Sequence, residues 1–348
     1  MSYEHDLDTV IKTLQSIDPE QLRATPAEMR TALEDVVTAG QRLWTAPMPD
    51  LVTALIETAR VDLVLARLVE GHADAMRILD QADEQIRPGV YGVWARSSTG
   101  TSVTGQFREG RWALRGELDS ACGLHLIDRA LVPVWVNEAH QLLDLPLAAG
   151  IASGSTTSWR TDARDAIRPW TVQIDADASI NATVGPRDWF LDRAGFVVGG
   201  LGMAAVWAGG AQLVLDLVIE AAGSSNLGAA QLRLIGTVDQ AVWEARTVLG
   251  QVASLAEDLS RAVLAVEIGR ARMSAAQACE RVVTGVDHLT GVGGLTPQLR
   301  LTRAMQDLRL CVRQYSVVPE LEGRGRYLVY ESDQAHDPSW PSADQYWG

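Results

Sequence analysis

Ala194-Gly-Phe-Val-Val-Gly-Gly-Leu-Gly-Met-Ala-Ala-Val-Trp-Ala-Gly-Gly-Ala211 runs for 18 residues without a polar side chain. Three structures compete for such a run. Its length reaches the lower limit of a membrane span. However, six glycines (Gly195, Gly199, Gly200, Gly202, Gly209 and Gly210) offer little lipophilic surface, and Gln212, Asp216 and Glu220 follow at helical spacing with no flanking basic cluster. A dinucleotide fingerprint is the second candidate, since Phe196-Val-Val leads into Gly200-Leu-Gly-Met-Ala-Ala205, with Glu220 further on. The distance from Gly202 to a second strand at Leu213 is too short for a crossover helix, and no strand–helix alternation follows. The remaining reading is a buried bundle helix whose small residues let neighbouring helices approach closely.

C-terminal to this helix, Ile235, Val238, Val242, Ala245, Leu249, Val252, Ala256 and Leu259 recur at spacings of three and four, predicting a helix from Ser225 or Asn226 to about Leu259. Two more helices are expected over Ser260–Val286 and Pro297–Tyr315, separated by Gly291-Val-Gly-Gly294, which completes a four-helix bundle. Trp207 and Trp243 are expected to pack its core.

N-terminal to it the pattern changes. From Arg87-Pro-Gly89 onward Gly, Ser, Thr, Val and Trp rise, and short apolar runs alternate with turn residues. Strands are predicted at Tyr91–Ala95, Arg111–Arg115, Ala130–Val136, Ile151–Ser153 and Thr171–Ile174, with turns at Glu109-Gly110 and Ala149-Gly150, in a small barrel or sandwich. Leu7 to Gln85 is helical, with breaks at Asp18-Pro19, Thr25-Pro26 and Ala46-Pro-Met-Pro49. Thr25 caps one helix, and Pro49–Asp80 reads as a single long one. The expected division is therefore α+β: 1–87 helical, 88–190 β, 191–316 helical bundle, and 317–348 an extended Gly/Pro/Ser/Asp-rich tail.

The 348 residues are 47% hydrophobic and 21% charged, which predicts a folded chain of two or three domains. A net charge of −14 argues against a non-specific grip on nucleic acid or anionic membrane. Cys122, Cys279 and Cys311 form no CxxC pair, and the acidic N-terminus has no signal-peptide pattern, so a cytoplasmic protein is expected. The six histidines lack ligand spacing and no HExxH, Walker A or GxSxG motif occurs, so no metal is expected. Lys12 is the sole lysine, which excludes a Schiff-base lysine elsewhere.

Three segments in this order resemble the acyl-CoA dehydrogenase superfamily. Trp112-Ala-Leu-Arg-Gly116 followed by Ala121-Cys-Gly123 resembles the strand, glycine and Ser-Gly or Thr-Asn segment that passes beside the flavin. Arg193-Ala-Gly-Phe196 through Ala211 is similar to the first bundle helix of divergent bacterial members. Gly291-Val-Gly-Gly294-Leu-Thr-Pro297 with Arg303, Asp307-Leu-Arg309 and Val312-Arg-Gln314 resembles the family's last turn and helix. The resemblance implies an acyl-CoA dehydrogenase-like fold binding FAD through Cys122, Gly123, Gly293, Gly294, Arg303 and Asp307. It also implies oxidation of an acyl thioester across its Cα–Cβ bond, with a carboxylate to take the α-proton.

The departures from the family are specific. Its usual late Glu has no counterpart. Arg246 followed by Glu257 and Asp258 fits the spacing of another branch, which makes those two the candidate bases. The arginine that meets the cofactor diphosphate is replaced by Ser224-Ser-Asn-Leu-Gly228, a loss of about 1.5–3 kcal/mol of charge-assisted bonding. Cys122 stands where a hydroxyl is usual and bonds more weakly. Against these, Gly293-Gly294 also reads as a plain helix break, and Arg303 with Asp307 as an ion pair on one helix face. Two alternatives therefore stand beside the dehydrogenase: a degenerate, non-enzymatic subunit of a related partner, and a flavin-dependent monooxygenase of the same fold, which needs no carboxylate base. Homo- or hetero-oligomers acting on a small molecule are expected.

Overall fold

The computed structural model describes residues 3–95, 102–147, 152–155, 170–193, 195–223, 226–290, 299–313 and 317–331. Four helices open the chain: α1 (Tyr3–Ser16), α2 (Pro26–Ala39), α3 (Met48–Val61) and α4 (Leu63–Gln81). Thr25 caps α2 as expected, its hydroxyl accepting from the Glu28 N–H with Pro26 in the first turn. The single helix expected over Pro49–Asp80 is instead α3 and α4. Asp62 between them is extended (φ −161°, ψ 130°), and its Oδ1 accepts from the N–H groups of Val64 and Leu65 at 2.8 and 3.0 Å. An aspartate inside an apolar periodicity thus restarts the helix, because its carboxylate satisfies backbone donors that continued helix would not need capped.

The middle of the chain supplies β1 (Tyr91–Val93), β2 (Val103–Arg108), β3 (Arg111–Ala121), β4 (Arg129–Val136), β5 (Ala139–Pro146), β6 (Ala152–Ser155), β7 (Trp170–Ser179) and β8 (Thr183–Val184). They form one eight-stranded sheet ordered β6-β7-β3-β2-β4-β5-β8, with β1 parallel to β4. The turn at Glu109-Gly110 joins β2 to β3. Both residues have positive φ (50° and 78°), which suits a two-residue hairpin whose twist matches its strands. The Ala149-Gly150 turn lies outside the described residues. The sequence pattern missed β2, β5 and β8. In β5 the residues His140, Gln141 and Asp144 are buried, so polar and apolar positions do not alternate.

After the sheet come two short turns of helix, α5 (Trp189–Asp192) and α6 (Gly195–Val198), then α7 (Gly200–Ala222), α8 (Ala229–Leu255), α9 (Arg261–Thr290) and α10 (Leu299–Val312). Phe196–Val198 is helical, so no strand enters the glycine run and the dinucleotide fingerprint falls away. The segment Gly195–Ala222 is long and apolar enough to cross a membrane, yet most of it is buried inside the protein. Its glycines explain how: a Cβ at Gly209 would lie 2.5 Å from the Ile56 carbonyl oxygen, and one at Gly210 would lie 2.6 Å from Leu63. α3 and α4 therefore rest directly on the α7 backbone. Trp207 is buried, but Trp243, expected in the core, is 61% exposed because it lies outside the α8 seam that carries Val238, Val242 and Leu249. Residues 317–331 correct the expected extended tail. Val317–Arg326 forms α11, followed by a π-helical turn to Glu331, and α11 is held by a buried ion pair of Glu320 with Arg272 at 2.6 Å.

Candidate active site

Helix α4 touches all the other layers. Its start is clasped by Arg23, whose Nε donates to Asp62 at 2.6 Å and whose Nη1 lies 2.6 Å from Asp307 on α10. In its middle, His72 Nδ1 accepts from the Tyr91 N–H of β1 at 3.1 Å, and Gly71 packs beside Gly92 of the same strand, where a Cβ would lie in ordinary contact at 3.9 Å. Burial lowers the His72 pKa to about 4, which keeps the imidazole neutral and that acceptor available. Further along, Asp74 faces Gly199 at the start of the bundle, and Arg193 Nη2 lies 3.5 Å from its Oδ1. Arg193 itself is buried between the rings of Phe190 and Phe196 and donates to the Phe190 carbonyl at 2.9 Å.

Between these contacts lies the pair Arg67 and Glu70, three residues apart on one face of α4, with Arg67 Nη1 donating to Glu70 Oε2. Glu70 is buried against α7, closely packed on Gly202: a Cβ there would lie 3.1 Å from Glu70 Cγ, tight enough that the carboxylate side chain would have to shift. Desolvation pushes the Glu70 pKa up to about 7, against the attraction of Arg67 and reinforced by the negative charge of Asp74. Burial disfavours the Arg67 charge, but the carboxylate of Glu70 foremost, with that of Asp74 beyond it, holds the guanidinium protonated. The Arg67 Nε–H is buried and has no acceptor. Leaving such a donor unfilled costs about 1–3 kcal/mol, and the Nε–H groups of Arg193, Arg270 and Arg300 are in the same state.

Cys122 and Gly123, the expected flavin-side pair, stand at the end of β3 beside this site. The Cys122 carbonyl accepts from the Trp94 indole N–H at 2.9 Å, and its side chain is half-buried within electrostatic reach of Arg67. Gly123 has φ +73°, and a Cβ there would sit 2.7 Å from Leu68 of α4. Both the turn and the packing against α4 therefore require glycine. Cys311, one turn after Asp307, is buried against the same cluster, and its thiol pKa is pushed up to about 12 by desolvation. The segments that resemble the family thus converge on α4, a helix outside all of them.

The other expected residues are placed differently. Asp307 is buried and paired with Arg23, so it takes part in the clasp between the N-terminal helices and α10. Desolvation raises its pKa to about 6. Arg303, half-buried one turn earlier, adds attraction to that carboxylate, so the i,i+4 ion-pair reading gives way to a tertiary one. Glu257 and Asp258 are both exposed on the turn that ends α8. Arg246, thirty-four residues beyond Gln212, donates to its Oε1 at 2.9 Å and so ties α8 to α7 instead of marking a base. Gly293 and Gly294 lie outside the described residues, as do Ser224 and Ser225. Arg67 and Glu70 escaped the sequence reading. The available signal was a pair of opposite charges inside the Leu63–Leu79 apolar face, where a solvated helix surface would be the ordinary explanation.

Whole-chain comparisons now bear on this geometry. No protein-family model matches the sequence, and no curated protein matches it. Solved structures do match over the whole chain. Dibenzothiophene monooxygenase TdsC from Paenibacillus sp. A11-2 superposes with a TM-score of 0.81 at 15% identity, covering 98% of this chain and 99% of that one. The FMN-bound TdsC gives 0.80 at 14% identity with the same coverage. The structure described as an electron transferring flavoprotein of Acidaminococcus fermentans gives 0.80 at 13% identity over 94% and 98%. Methanesulfinate monooxygenase MsuC from Pseudomonas fluorescens gives 0.74 at 14% identity over 99% of both chains. The fold is that of the flavin-dependent, acyl-CoA dehydrogenase-like enzymes.

Proposed function

We propose that this chain is a flavin-dependent monooxygenase of the acyl-CoA dehydrogenase-like fold, acting on a small molecule beside the Cys122–Gly123 turn. The observation that carries the choice is the full-length likeness to TdsC and MsuC, whose names describe monooxygenases. Glu257 and Asp258, the bases expected for a dehydrogenase, stand in solvent, which removes those two candidates and leaves Glu70 as the buried carboxylate of this region. The residues fit a flavin in one respect: the turn after β3 presents bare backbone at Gly123, where φ is +73°, with the half-buried Cys122 side chain beside it, while the Cys122 and Gly123 carbonyls are held by Trp94, Leu126 and Ile127.

A bound flavin supplies the electrons and the activation of oxygen. The protein's part is positioning and proton control. Trp94 fixes the Cys122 carbonyl and hence the direction of the turn, and Leu68 and Ile127 fill the Gly123 side. Glu70 Oε holds a proton near neutral pH and so serves either as donor or as acceptor without water in contact. FMN, present in TdsC structures, and the FAD implied by the sequence resemblance are both flavins that this reading admits.

The test is reconstitution. Purified protein is mixed with FMN or FAD, and retained flavin is measured by visible absorbance after gel filtration. Oxygen uptake driven by a flavin reductase and NADH is then compared with acyl-thioester oxidation by an artificial acceptor. Substrate-dependent oxygen uptake without thioester oxidation is expected. Thioester oxidation overturns the monooxygenase in favour of the dehydrogenase, and a folded protein that takes up neither flavin favours the non-enzymatic subunit.

A further inference from the structure

We propose that Arg67 and Glu70 form the recognition site for a small organic anion, a sulfinate or carboxylate, which replaces Glu70 as the counter-ion of Arg67 while Glu70 takes up a proton. This deepens the monooxygenase reading by naming its substrate class, and it rests on that reading only for the turnover of the bound anion.

Four observations lead to it. Arg67 has fewer partners among the described residues than Arg129, which donates to both the side chain and the backbone of Asp144, or Arg23, which meets two carboxylates: it pairs with Glu70, and its buried Nε–H has no acceptor, a feature it shares with Arg193, Arg270 and Arg300. Arg67 is also reachable, since its side chain keeps 21% exposure and the neighbouring Cys122 is half-buried. Among the described residues the hydrogen-bond donor to Glu70 is Arg67, and the Glu70 side chain packs against the bare backbone of Gly202. Finally, the further groups that act on the pair are acidic or weakly acidic: Asp74 on α4, Cys122 just after β3 and Cys311 on α10. The cations around these groups are engaged with them, Arg193 and Arg77 with Asp74 and Arg23 with Cys311. α7 contributes only glycine at the point of contact.

These features make the exchange favourable in a specific way. With Glu70 ionised, the pair is neutral and an added anion would meet two carboxylates at once. With Glu70 protonated, Arg67 keeps one uncompensated positive charge in a partly desolvated place, and a two-oxygen anion matches the planar fork of a guanidinium. The carboxyl then donates a hydrogen bond where the carboxylate only accepted. One proton comes from solvent for each anion bound, and no covalent bond changes. A neutral aromatic such as indole offers no acceptor for the Arg67 donor and gains nothing from the proton.

Titration calorimetry tests this with methanesulfinate, benzoate and indole as probes. It is run on the flavin-reconstituted protein and on the flavin-free protein, at pH 6 to 9, in two buffers of different ionisation enthalpy. We expect at least one of the two anions to bind with uptake of close to one proton above pH 7, with affinity falling about tenfold per pH unit there. Arg67→Gln should weaken that binding at least tenfold. Glu70→Gln should bind at pH 8 at least as tightly as the wild type, with no proton uptake and a flat pH profile. Should Arg67→Gln fail to fold, Arg67→Lys serves in its place: charge is kept and the fork is lost, so weakening of several-fold is expected. The proposal is overturned if neither anion binds, if binding ignores Arg67, if it is independent of pH without proton uptake, or if indole alone binds. Arg67-dependent anion binding to flavin-free protein that shows no oxygen chemistry would uphold this site and remove the monooxygenase. Oxygen uptake with neutral substrates only would do the reverse.

Discussion

Two buried carboxylates, Asp144 in the sheet and Glu70 in helix α4, are treated in opposite ways by the fold. Asp144 is 1% exposed, and each of its oxygens is engaged: Oδ1 accepts from Arg129 Nε at 2.8 Å, and Oδ2 accepts from Arg87 Nη1 at 2.6 Å and from the Tyr91 hydroxyl at 3.4 Å. It joins β5 to β4 and to the segment that enters the sheet, and Arg87 goes on to the Asn181 carbonyl. Among the described residues Glu70 has Arg67 as its partner, and the Arg67 Nε–H is buried without an acceptor. A charge that serves folding is surrounded until its lone pairs are filled, since leaving one unfilled in a low-dielectric interior costs stability. An under-partnered charge in the same interior is a cost that the chain retains, and the α4 pair carries that cost beside the turn expected to meet the flavin.

The largest effect should come from Asp144→Asn. Removing the charge between Arg129 and Arg87 should lower unfolding stability by about 3 kcal/mol, read as a drop in the urea midpoint with unchanged slope. If Glu70→Gln costs as much, the contrast between the two carboxylates fails.

Nearly as large, and confined to acid, is the contribution of His72. Its folded pKa lies near 4, below the unfolded value of about 6.5, so its stabilisation is complete above pH 6.5 and is lost as the pH falls through 4. The full loss amounts to about 3 kcal/mol. Thermal melts of His72→Gln, which cannot titrate, should therefore show a shallower decline than the wild type between pH 6.5 and 4. An identical slope would mean that the imidazole is already charged beside Tyr91.

Glu70 has the opposite sign. Its folded pKa of about 7 exceeds the unfolded value of 4.5, so the protonated form stabilises the fold fully below pH 4.5 and that contribution is lost as the pH rises through 7. Relative to wild type, Glu70→Gln should gain about 2 kcal/mol between pH 5 and pH 8, measured by urea denaturation at both. A gain near zero would place Glu70 in a well-solvated pair and sharpen the contrast in the other direction. The smallest effect belongs to Trp243→Gln, at most about 0.5 kcal/mol in the same assay, because an exposed ring off the helix seam has little packing to lose.

Much of the architecture is legible in the residues alone, because helix seams and turns are local patterns. Thr25-Pro26 starts a helix, Glu109-Gly110 closes a hairpin, and the glycines of the Gly195–Ala222 segment mark a buried helix. Each of these depends on neighbours within a few residues, and the order of helices, sheet and bundle follows from them. Where polar residues are buried, local pattern misleads. Asp62 splits a helix that reads as continuous, and His140, Gln141 and Asp144 hide β5. Glu320 holds a helix where the composition reads as a tail.

The site was decided elsewhere. Sequence alone places Cys122, Gly123, Arg303 and Asp307 near a cofactor by resemblance. Only the packing of α4 against β1, α7 and α10 brings Arg67 and Glu70 to Cys122 and Cys311, gives Asp307 to Arg23, and leaves Glu257 and Asp258 in water. The reason is desolvation. A charge on a helix looks the same in sequence whether it faces solvent or a protein interior, and its chemistry changes only when distant segments close over it.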